Sequence, residues 1–505
     1  MHIVLWDTRR LDAEKDFAGG FGVGNYQGHG GIAGRVIRHF YKRDRRPVAL
    51  NFAYMAAVFK KLGHTVEYSE DRVPRGGDIY VFNPSLITIH FERQAMRRAL
   101  MENPGCKVWV TGLVAYAIPE AFDGLNVTIV KGEPEQLLSK FDDVLNSQER
   151  IVNVGRVDDL DTLPFPDWSL FQPHRFRIVY DFWKFPTGLV QASRGCTFKC
   201  NYCPYIIVEN TTRLREPERV VEEMRLGIRN YGFQSFKFRD PLFGIDRKRV
   251  LKLAELIGKL PHKIQFSIES RIDLLRPETL KVLHDVGLVS ITVGIETPAE
   301  DTLRQYKRAP IRDDKQREFV AQCRSLGIRT VAGFMIGFPE DTEKSILDVL
   351  KYAKQVNPTW ANFNVVTPYP GTEFFQIVKD QIANFDFTQY NVYTPVMKYK
   401  HLTPNQVQDL HAKCFIKYYF RGRWLETNAH LAWPWLRALG VGRKWFAQQA
   451  ELTKPAEAPQ STGHVHVGPP KPHTGLQILK SDDAPSGSAC HTHGQSEQTH
   501  RADVA

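Results

Sequence analysis

The sequence predicts an α/β protein in successive parts: a doubly wound N-terminal domain, a partial barrel of six βα units, and a helical C-terminal region. Two observations carry this expectation. Short apolar strand-like runs alternate with helix-period segments, regularly from residue 50 and again from residue 187. Between the two series lies a proline-bearing connector, Leu163-Pro164-Phe165-Pro166-Asp167-Trp168, which suits a domain boundary.

In the first series, residues 3–5 form the kind of apolar run that opens a parallel sheet. A helix over 50–62 ends at Gly63, with strands at 65–68 and 79–82, a helix over 91–101, and strands at 107–111 and 127–130. Before residue 50 lies a glycine-dense stretch, Gly19-Gly20-Phe21-Gly22-Val23-Gly24 and then Gly28-His29-Gly30-Gly31. Its spacing does not fit a strand-turn-helix phosphate loop, which leaves a surface loop or a loop covering a cofactor or substrate. The second series has strands near 187–192, 234–239, 263–268, 289–294, 328–336 and 361–366, separated by helices such as 216–230 and 341–356. Six parallel strands make an open barrel whose carboxyl strand ends carry the site. The expected organisation is therefore 1–150, a linker over 151–186, the barrel over 187–400, helices over 401–450 and a disordered tail over 451–505, rich in Pro, Gly, Ser and His.

Apolar residues make up 42% and charged residues 24% of the 505, which excludes a wholly disordered, collagenous or polytopic membrane protein. The net charge is +11, concentrated in residues 35–46 and 413–444. Residues 415–424, with Trp433, Trp435, Arg437, Lys444 and Trp445, mix aromatics with cations, as barrel-capping helices or a surface resting on anionic lipid would. The start has no signal-peptide pattern, and no eighteen apolar residues run uninterrupted, so a cytoplasmic protein with contact at the membrane surface is expected.

Seven cysteines are too few for a disulfide scaffold, and three of them fall within eight positions: Cys196-Thr197-Phe198-Lys199-Cys200-Asn201-Tyr202-Cys203. They directly follow the first barrel strand. Structural zinc wants four closed ligands, but the next cysteine is Cys323 and the nearest histidines are His174 and His262. An iron–sulfur cluster held by three thiolates, with one iron open, fits the count; zinc is the alternative. Cys106, Cys323, Cys414 and Cys490 are scattered singly and read as buried or incidental thiols.

The motif C-x-x-x-C-x-aromatic-C, with Tyr202 in the aromatic slot, resembles that of the radical S-adenosylmethionine (radical SAM) enzymes. The similarity covers about 187–375 and includes Phe238-Arg239-Asp240, Ser270-Arg271-Ile272-Asp273, Gly294-Ile295-Glu296-Thr297, Gly333-Phe334-Met335-Ile336-Gly337 and Pro368-Tyr369-Pro370-Gly371-Thr372 in order. The resemblance implies a [4Fe-4S] cluster on Cys196, Cys200 and Cys203, whose open iron chelates the amino and carboxylate groups of SAM. Reductive cleavage then yields a 5′-deoxyadenosyl radical. It further suggests Asp240 as acceptor for the methionyl ammonium, Arg271 for the carboxylate, and Glu296 for the ribose hydroxyls or ammonium. Tyr202 and Met335 suit the adenine, with close backbone approach at Gly333 and Gly337. A barrel-rim salt bridge is the competing role for Asp240, Arg271 and Glu296, and core packing for Met335. Gly337-Phe338-Pro339-Glu340-Asp341-Thr342 departs from the family's Gly-x-Pro-Gly-Glu-Thr.

The N-terminal stretches 54–66, 78–81, 108–112 and Gly132-Glu133-Pro134-Glu135 are similar to the cobalamin (B12)-binding domain fused to one radical SAM class. The resemblance implies cobalamin at the carboxyl strand ends, near the Gly19–Gly31 loop, Asn83 and Ser85; a vestigial or substrate-binding Rossmann-like domain is the alternative. No D-x-H-x-x-G motif is present, and His29 and His64 lie in neither its context nor its spacing, so no histidine ligand to cobalt is expected. The function implied is hydrogen abstraction from an apolar small molecule or lipid and cobalamin-dependent C-methylation, with an external one-electron reductant such as flavodoxin or ferredoxin. Alternatives are a non-methylating carbon-bond-forming or cyclising enzyme, an RNA-modifying enzyme and a non-catalytic iron–sulfur protein. Nucleic acid is not an expected partner: the basic patches lack an RNA-binding module, and the N-terminal region holds only Cys106 where methylthiotransferases carry three cluster cysteines.

Overall fold

The structure is a computed structural model that describes residues 1–8, 13–15, 18–24, 28–41, 47–70, 76–178, 180–208 and 210–428. The N-terminal sheet has strands β1 (His2–Asp7), β2 (Thr65–Glu70), β3 (Ile79–Phe82), β4 (Lys107–Val110), β5 (Thr128–Gly132) and β6 (Ile151–Gly155), all parallel, in the order β2-β1-β3-β4-β5-β6. The order reverses between β1 and β3, the switch point outside which open α/β sheets bind ligands. Ile3, Val4, Leu5 and Trp6 of β1 and all of β3 are buried, because helices cover both faces of a parallel sheet.

Strand β6 falls in the stretch expected to be linker. It pairs with β5 at the sheet edge and is mostly exposed, so its sequence, Ile-Val-Asn-Val-Gly, lacks the apolar run of a central strand. The rest of the connector is packed: Trp168, Phe171, Phe176 and Phe182 are buried in the main core. Buried Asp181 reaches three barrel strands, accepting hydrogen bonds from Lys237 Nζ (3.0 Å), Ser267 Oγ (3.3 Å) and Ser290 Oγ (2.5 Å). All the described residues belong to one compact unit.

The barrel strands are β7 (Thr187–Val190), β8 (Ser235–Phe238), β9 (Gln265–Ser270), β10 (Leu288–Glu296), β11 (Arg329–Ile336) and β12 (Trp360–Val365). They are parallel and pair in sequence order, with β7 and β12 as the two edge strands, so the barrel is open as expected. Helix Pro404–Tyr419 starts at a Thr403/Gln406 capping box and buries Val407, Leu410, His411, Phe415 and Tyr418. It lies over β12: His411 Nε2 is 2.9 Å from the Phe363 carbonyl, and burial pushes that imidazole down to about 4. Within 415–424, the aromatics Phe415, Tyr418 and Tyr419 therefore cap the barrel, and Trp424 Nε1 donates to the Thr359 carbonyl (3.0 Å). Trp433, Trp435, Arg437, Lys444, Trp445 and the 451–505 tail lie outside the described residues, as do 42–46 of the first basic run. Among the described residues no helix is long and apolar enough to cross a membrane.

The carboxyl ends of the two sheets share a second apolar cluster that contains Phe21, Leu113, Tyr306, Phe338, Val366 and Tyr369. Phe21, from the glycine-dense loop, stacks on Tyr369 beyond β12 with ring centroids 5.1 Å apart. Leu86 N donates to the Phe21 carbonyl (3.0 Å), so Phe21 is also tied beside the β3 end.

Candidate functional site

The three cysteines lie on one loop, residues 195–212, which leaves through Ser193–Arg194 and returns through the antiparallel Arg213–Leu214. Its departure from β7 is held by Asp240, whose Oδ1 accepts from Ala192 N (2.8 Å) and whose Oδ2 accepts from Ser193 Oγ (2.6 Å). Burial pushes the Asp240 carboxyl up to about 6 against those two hydrogen bonds. Because the folded value lies above the ordinary one, the stability Asp240 contributes is complete below about pH 4 and is lost as pH rises through 6. Asp240→Asn is expected to remove that fall, up to about 3 kcal/mol, in urea unfolding from pH 4 to 7. A variant profile parallel to wild type would show that Asp240 ionises normally.

Cys200 is buried, and Cys203 N closes a turn onto the Cys200 carbonyl (3.0 Å). Burial pushes the Cys203 thiol up to about 12, with Cys200 and Cys196 adding to the rise and Arg308 opposing it. Thiols so buried ionise only beside a strong cation, which an iron centre supplies. Among the described residues no three His, Cys, Asp or Glu side chains stand close enough to hold a single metal ion. Zinc needs its thiolates converged on one ion, whereas a cubane takes each thiolate on a different iron.

The facing wall comes from the ends of β9 and β10. Arg308 donates from Nη2 to the Gly294 carbonyl (2.6 Å), pairs with Glu296 Oε1 (3.3 Å), and places Nη1 3.9 Å from Cys200 Sγ. Glu296 stands in the left-handed region at φ 70°, beyond a β-bulge that turns its carboxylate towards Arg308. Burial raises its carboxyl, and Arg308 and Arg271 oppose the rise. Arg271 forks onto Asp273 (3.0 and 2.9 Å) and lies 4.2 Å over the Phe198 ring of the cysteine loop. Its Nη1 is buried without a partner, as are Tyr202 Oη and Asn201 Oδ1. Tyr202 lies in the field of Glu296, Arg308, Cys200 and Cys203, and burial raises its phenol well above the usual range. Buried polar atoms left unpaired beside three thiols are what a cluster with a charged, polar ligand would satisfy.

The remaining sequence-derived positions divide. Gly333 and Met335 alternate along β11 with fully buried neighbours and share their half-open face with Asn362 and Asn364 of β12, their register partners. A side chain at Gly333 would meet only Asn364 Nδ2 (3.7 Å) and the Val293 carbonyl (3.8 Å), so glycine leaves room there. Gly337 turns at φ 77°, and a side chain there would press on Val365 and Val407 (both 3.3 Å), so its close approach is to the protein. Asp341 ties the departing loop together: Oδ2 accepts from Gly337 N (2.7 Å) and Phe338 N (2.9 Å), and Oδ1 from Ser345 Oγ (2.7 Å). The structure thus gathers Tyr202, Arg271 and Glu296 around the cysteines, with Asp240 behind the loop and Gly337 away from it. Arg308, Asn201 and Phe198 are additions that sequence reasoning missed; for Arg308 the available signal was a cation shortly after Gly294-Ile295-Glu296-Thr297.

At the N-terminal strand ends, Lys15 pairs with Asp7 (2.7 Å) and with Glu92 in the interior, and buried Thr111 Oγ1 has no partner. Asn83 Nδ2 donates to Asn51 Oδ1 (3.3 Å), and buried Ser85 Oγ lies 2.8 Å from Thr88 Oγ1. His64 precedes β2 at the opposite end, 4.4 Å from the Phe141 ring, and His29 is exposed.

Residues 190–353 match the family model of the Radical SAM superfamily. An uncharacterized methyltransferase of Pyrococcus horikoshii is 27% identical over 268 residues, 52% of this chain and 57% of the relative. The anaerobic magnesium-protoporphyrin IX monomethyl ester cyclase of Cereibacter sphaeroides is 28% identical over 358 residues, 69% of this chain and 56% of the relative. The chain therefore spans little more than half the length of these relatives. Among solved structures, the cobalamin-dependent S-adenosylmethionine radical enzyme OxsB, with aqua-cobalamin and S-adenosylmethionine bound, superposes with a TM-score of 0.59 at 14% identity, covering 88% of this chain and 76% of its own. The three-cysteine loop and most of the open six-stranded barrel thus lie within residues 190–353, the segment that matches the Radical SAM superfamily.

Proposed function

We propose that this protein is a cobalamin-dependent radical SAM methylase acting on an unactivated carbon of an apolar small molecule or lipid. The observation that carries the reading is the shared boundary of the two sheets: the cysteine loop and the carboxyl ends of the N-terminal strands meet through Phe21, Leu113 and Tyr369. A group held at the N-terminal strand ends would therefore face the barrel site. When bound, the cluster and SAM supply a hydrogen-abstracting 5′-deoxyadenosyl radical, and cobalamin supplies a methyl group.

In this reading Cys196, Cys200 and Cys203 hold the cluster, and Arg308 places positive charge beside Cys200. Arg271, with its unpaired Nη1, binds the methionyl carboxylate, and Tyr202 and Met335 flank the adenine. Asp240 and Glu296 act mainly by holding the loop and Arg308, with Glu296 also within the field of the ligand. The apolar cluster around Tyr306, Phe338 and Tyr369 excludes water from the radical. Thr111, Asn83 and Ser85 line the strand ends assigned to cobalamin, which in this reading binds without a histidine ligand to cobalt. An external one-electron donor such as flavodoxin or ferredoxin completes the system.

The second reading is a cyclase that makes a carbon bond without methyl transfer; the similarity to the cyclase over 69% of this chain favours it. Anaerobically reconstituted protein with hydroxocobalamin, a reductant and methyl-deuterated SAM would be incubated with lipid and tetrapyrrole fractions. Methylation gives 5′-deoxyadenosine and a product carrying the deuterated methyl. Deoxyadenosine with an unlabelled, rearranged product would favour the cyclase, and nitrogen hyperfine splitting at cobalt(II) would refute the absence of a histidine ligand.

A further inference from the structure

The cysteine loop is closed at its neck by two residue pairs, Ser193 with Leu214 and Arg194 with Arg213, next to which Arg215 N donates to the Ala192 carbonyl (3.0 Å). Two like charges therefore oppose each other, and their side chains are only 12% and 11% exposed. Like charges directly opposite on paired strands destabilise the pairing, more so where water cannot screen them.

The compensating charge comes from the other sheet. Glu133, the first residue after β5, accepts at Oε1 from Arg213 Nη2 (2.6 Å) and pairs there with Arg194 Nη1 (3.3 Å), while its Oε2 accepts from Arg213 Nη1 (3.0 Å) and Val157 N (2.7 Å). Glu135, two residues on and 3% exposed, accepts from Arg194 Nη2 (2.6 Å). The Arg194 guanidinium also lies 5.2 Å over the Tyr54 ring, and its Nε donates to Gln191 Oε1 (2.8 Å). Gly132 aims these acids: it turns at φ 112°, and a side chain there would collide with the Gly155 carbonyl. Burial works against ionising Glu133, yet Arg213 and Arg194 hold its carboxyl down at about 2.

We propose that Glu133 is a positioning residue for the cluster loop: an acid from the N-terminal sheet that neutralises the Arg194–Arg213 pair and so closes the neck of the segment bearing all three cysteines. The clamp rests on the reading that Cys196, Cys200 and Cys203 hold the cluster, and it makes the N-terminal sheet part of the cluster's support. It predicts an asymmetry that an ordinary salt bridge would not show. Glu133→Ala takes away the carboxylate that Arg194 and Arg213 share at the neck and leaves the two cations facing each other with Glu135 on Arg194 alone, whereas Arg213→Met breaks the same 2.6 Å pair but removes one of the facing cations, leaving Arg194 with Glu133 and Glu135.

The test uses the full chain with two readouts. In apo protein, trypsin cleavage after the exposed Lys199 reports neck opening without any cluster; in anaerobically reconstituted protein, decay of the cluster absorbance under chelator reports retention. Glu133→Ala is expected to speed both by about tenfold or more, the effect of removing the buried carboxylate shared by two facing cations. Arg213→Met should stay within about threefold of wild type, and the double variant should recover most of the loss. Equal damage from Glu133→Ala and Arg213→Met, or no recovery in the double variant, overturns the clamp. Should Glu133→Ala fail to fold, the comparison of Glu133→Gln with Arg213→Met decides by the same asymmetry. A wild-type chain that retains no cluster would overturn the cluster reading, while the apo cleavage arm would still judge the neck.

Discussion

Cys200→Ala is expected to reduce reductive SAM cleavage to background and to remove the cluster absorbance, with iron falling from about four per chain. Cys200 is the central and most buried of the three thiols, placed where Arg308 Nη1 approaches its sulfur at 3.9 Å. None of the other described cysteines stands ready to replace it. Cys323 is fully buried in helix Asp313–Ser325, where burial pushes its thiol up to about 12, and Cys414 is buried within helix Pro404–Tyr419 in the same state. Cys323→Ala should therefore keep the cluster. The measurement is iron content and visible absorbance after anaerobic reconstitution, with 5′-deoxyadenosine read by mass spectrometry. A cluster that survives Cys200→Ala but is lost with Cys323→Ala would sink the assignment.

Arg308→Met is expected to be the most destabilising single change at the site, costing about 3–5 kcal/mol because it leaves Glu296 as a buried carboxylate without its cation. Glu296 already sits above the ordinary glutamate range through burial, and Arg308 is the largest opposing influence. Removing Arg308 raises the carboxyl further. A folded value raised above the unfolded one means that the group's contribution is intact below the ordinary glutamate range and is lost as pH rises through the folded value. Arg308→Met should accordingly lose more stability at pH 8 than at pH 5, and adding Glu296→Gln should restore most of the difference. Urea unfolding of the reduced apo protein at the two pH values checks this. Equal losses at both would mean that Glu296 is not the residue Arg308 neutralises.

Much of the fold was legible because its signals are local. The six barrel strands lie within about two residues of their expected starts, since buried parallel strands are continuous apolar runs that connecting helices and turns interrupt. Strand β6 escaped because an edge strand is half solvated and its five residues show no apolar run. The 151–186 connector looked like linker because proline and aromatic residues mark a turn-rich path in sequence, yet the same aromatics fill the main core. The glycine-dense loop left two readings open, and the stacking of Phe21 on Tyr369 shows that Phe21 is packed against the body.

By itself the sequence determined the two α/β series, the three cysteines on one loop, and the strand-end positions of Asp240, Arg271 and Glu296. All of these depend on spacing within a few residues and on which side chains a strand end presents. Only the tertiary structure decided which charges meet: Asp240 with the loop departure, Arg308 with Glu296, and Glu133 with Arg194 and Arg213 across 61 and 80 positions of chain. Buried ion pairs depend on distance through space and on exclusion of water, and neither is written in local periodicity. A cation in a polar loop such as Arg308 is indistinguishable from a solvated one until the fold brings it against a carboxylate that water cannot reach.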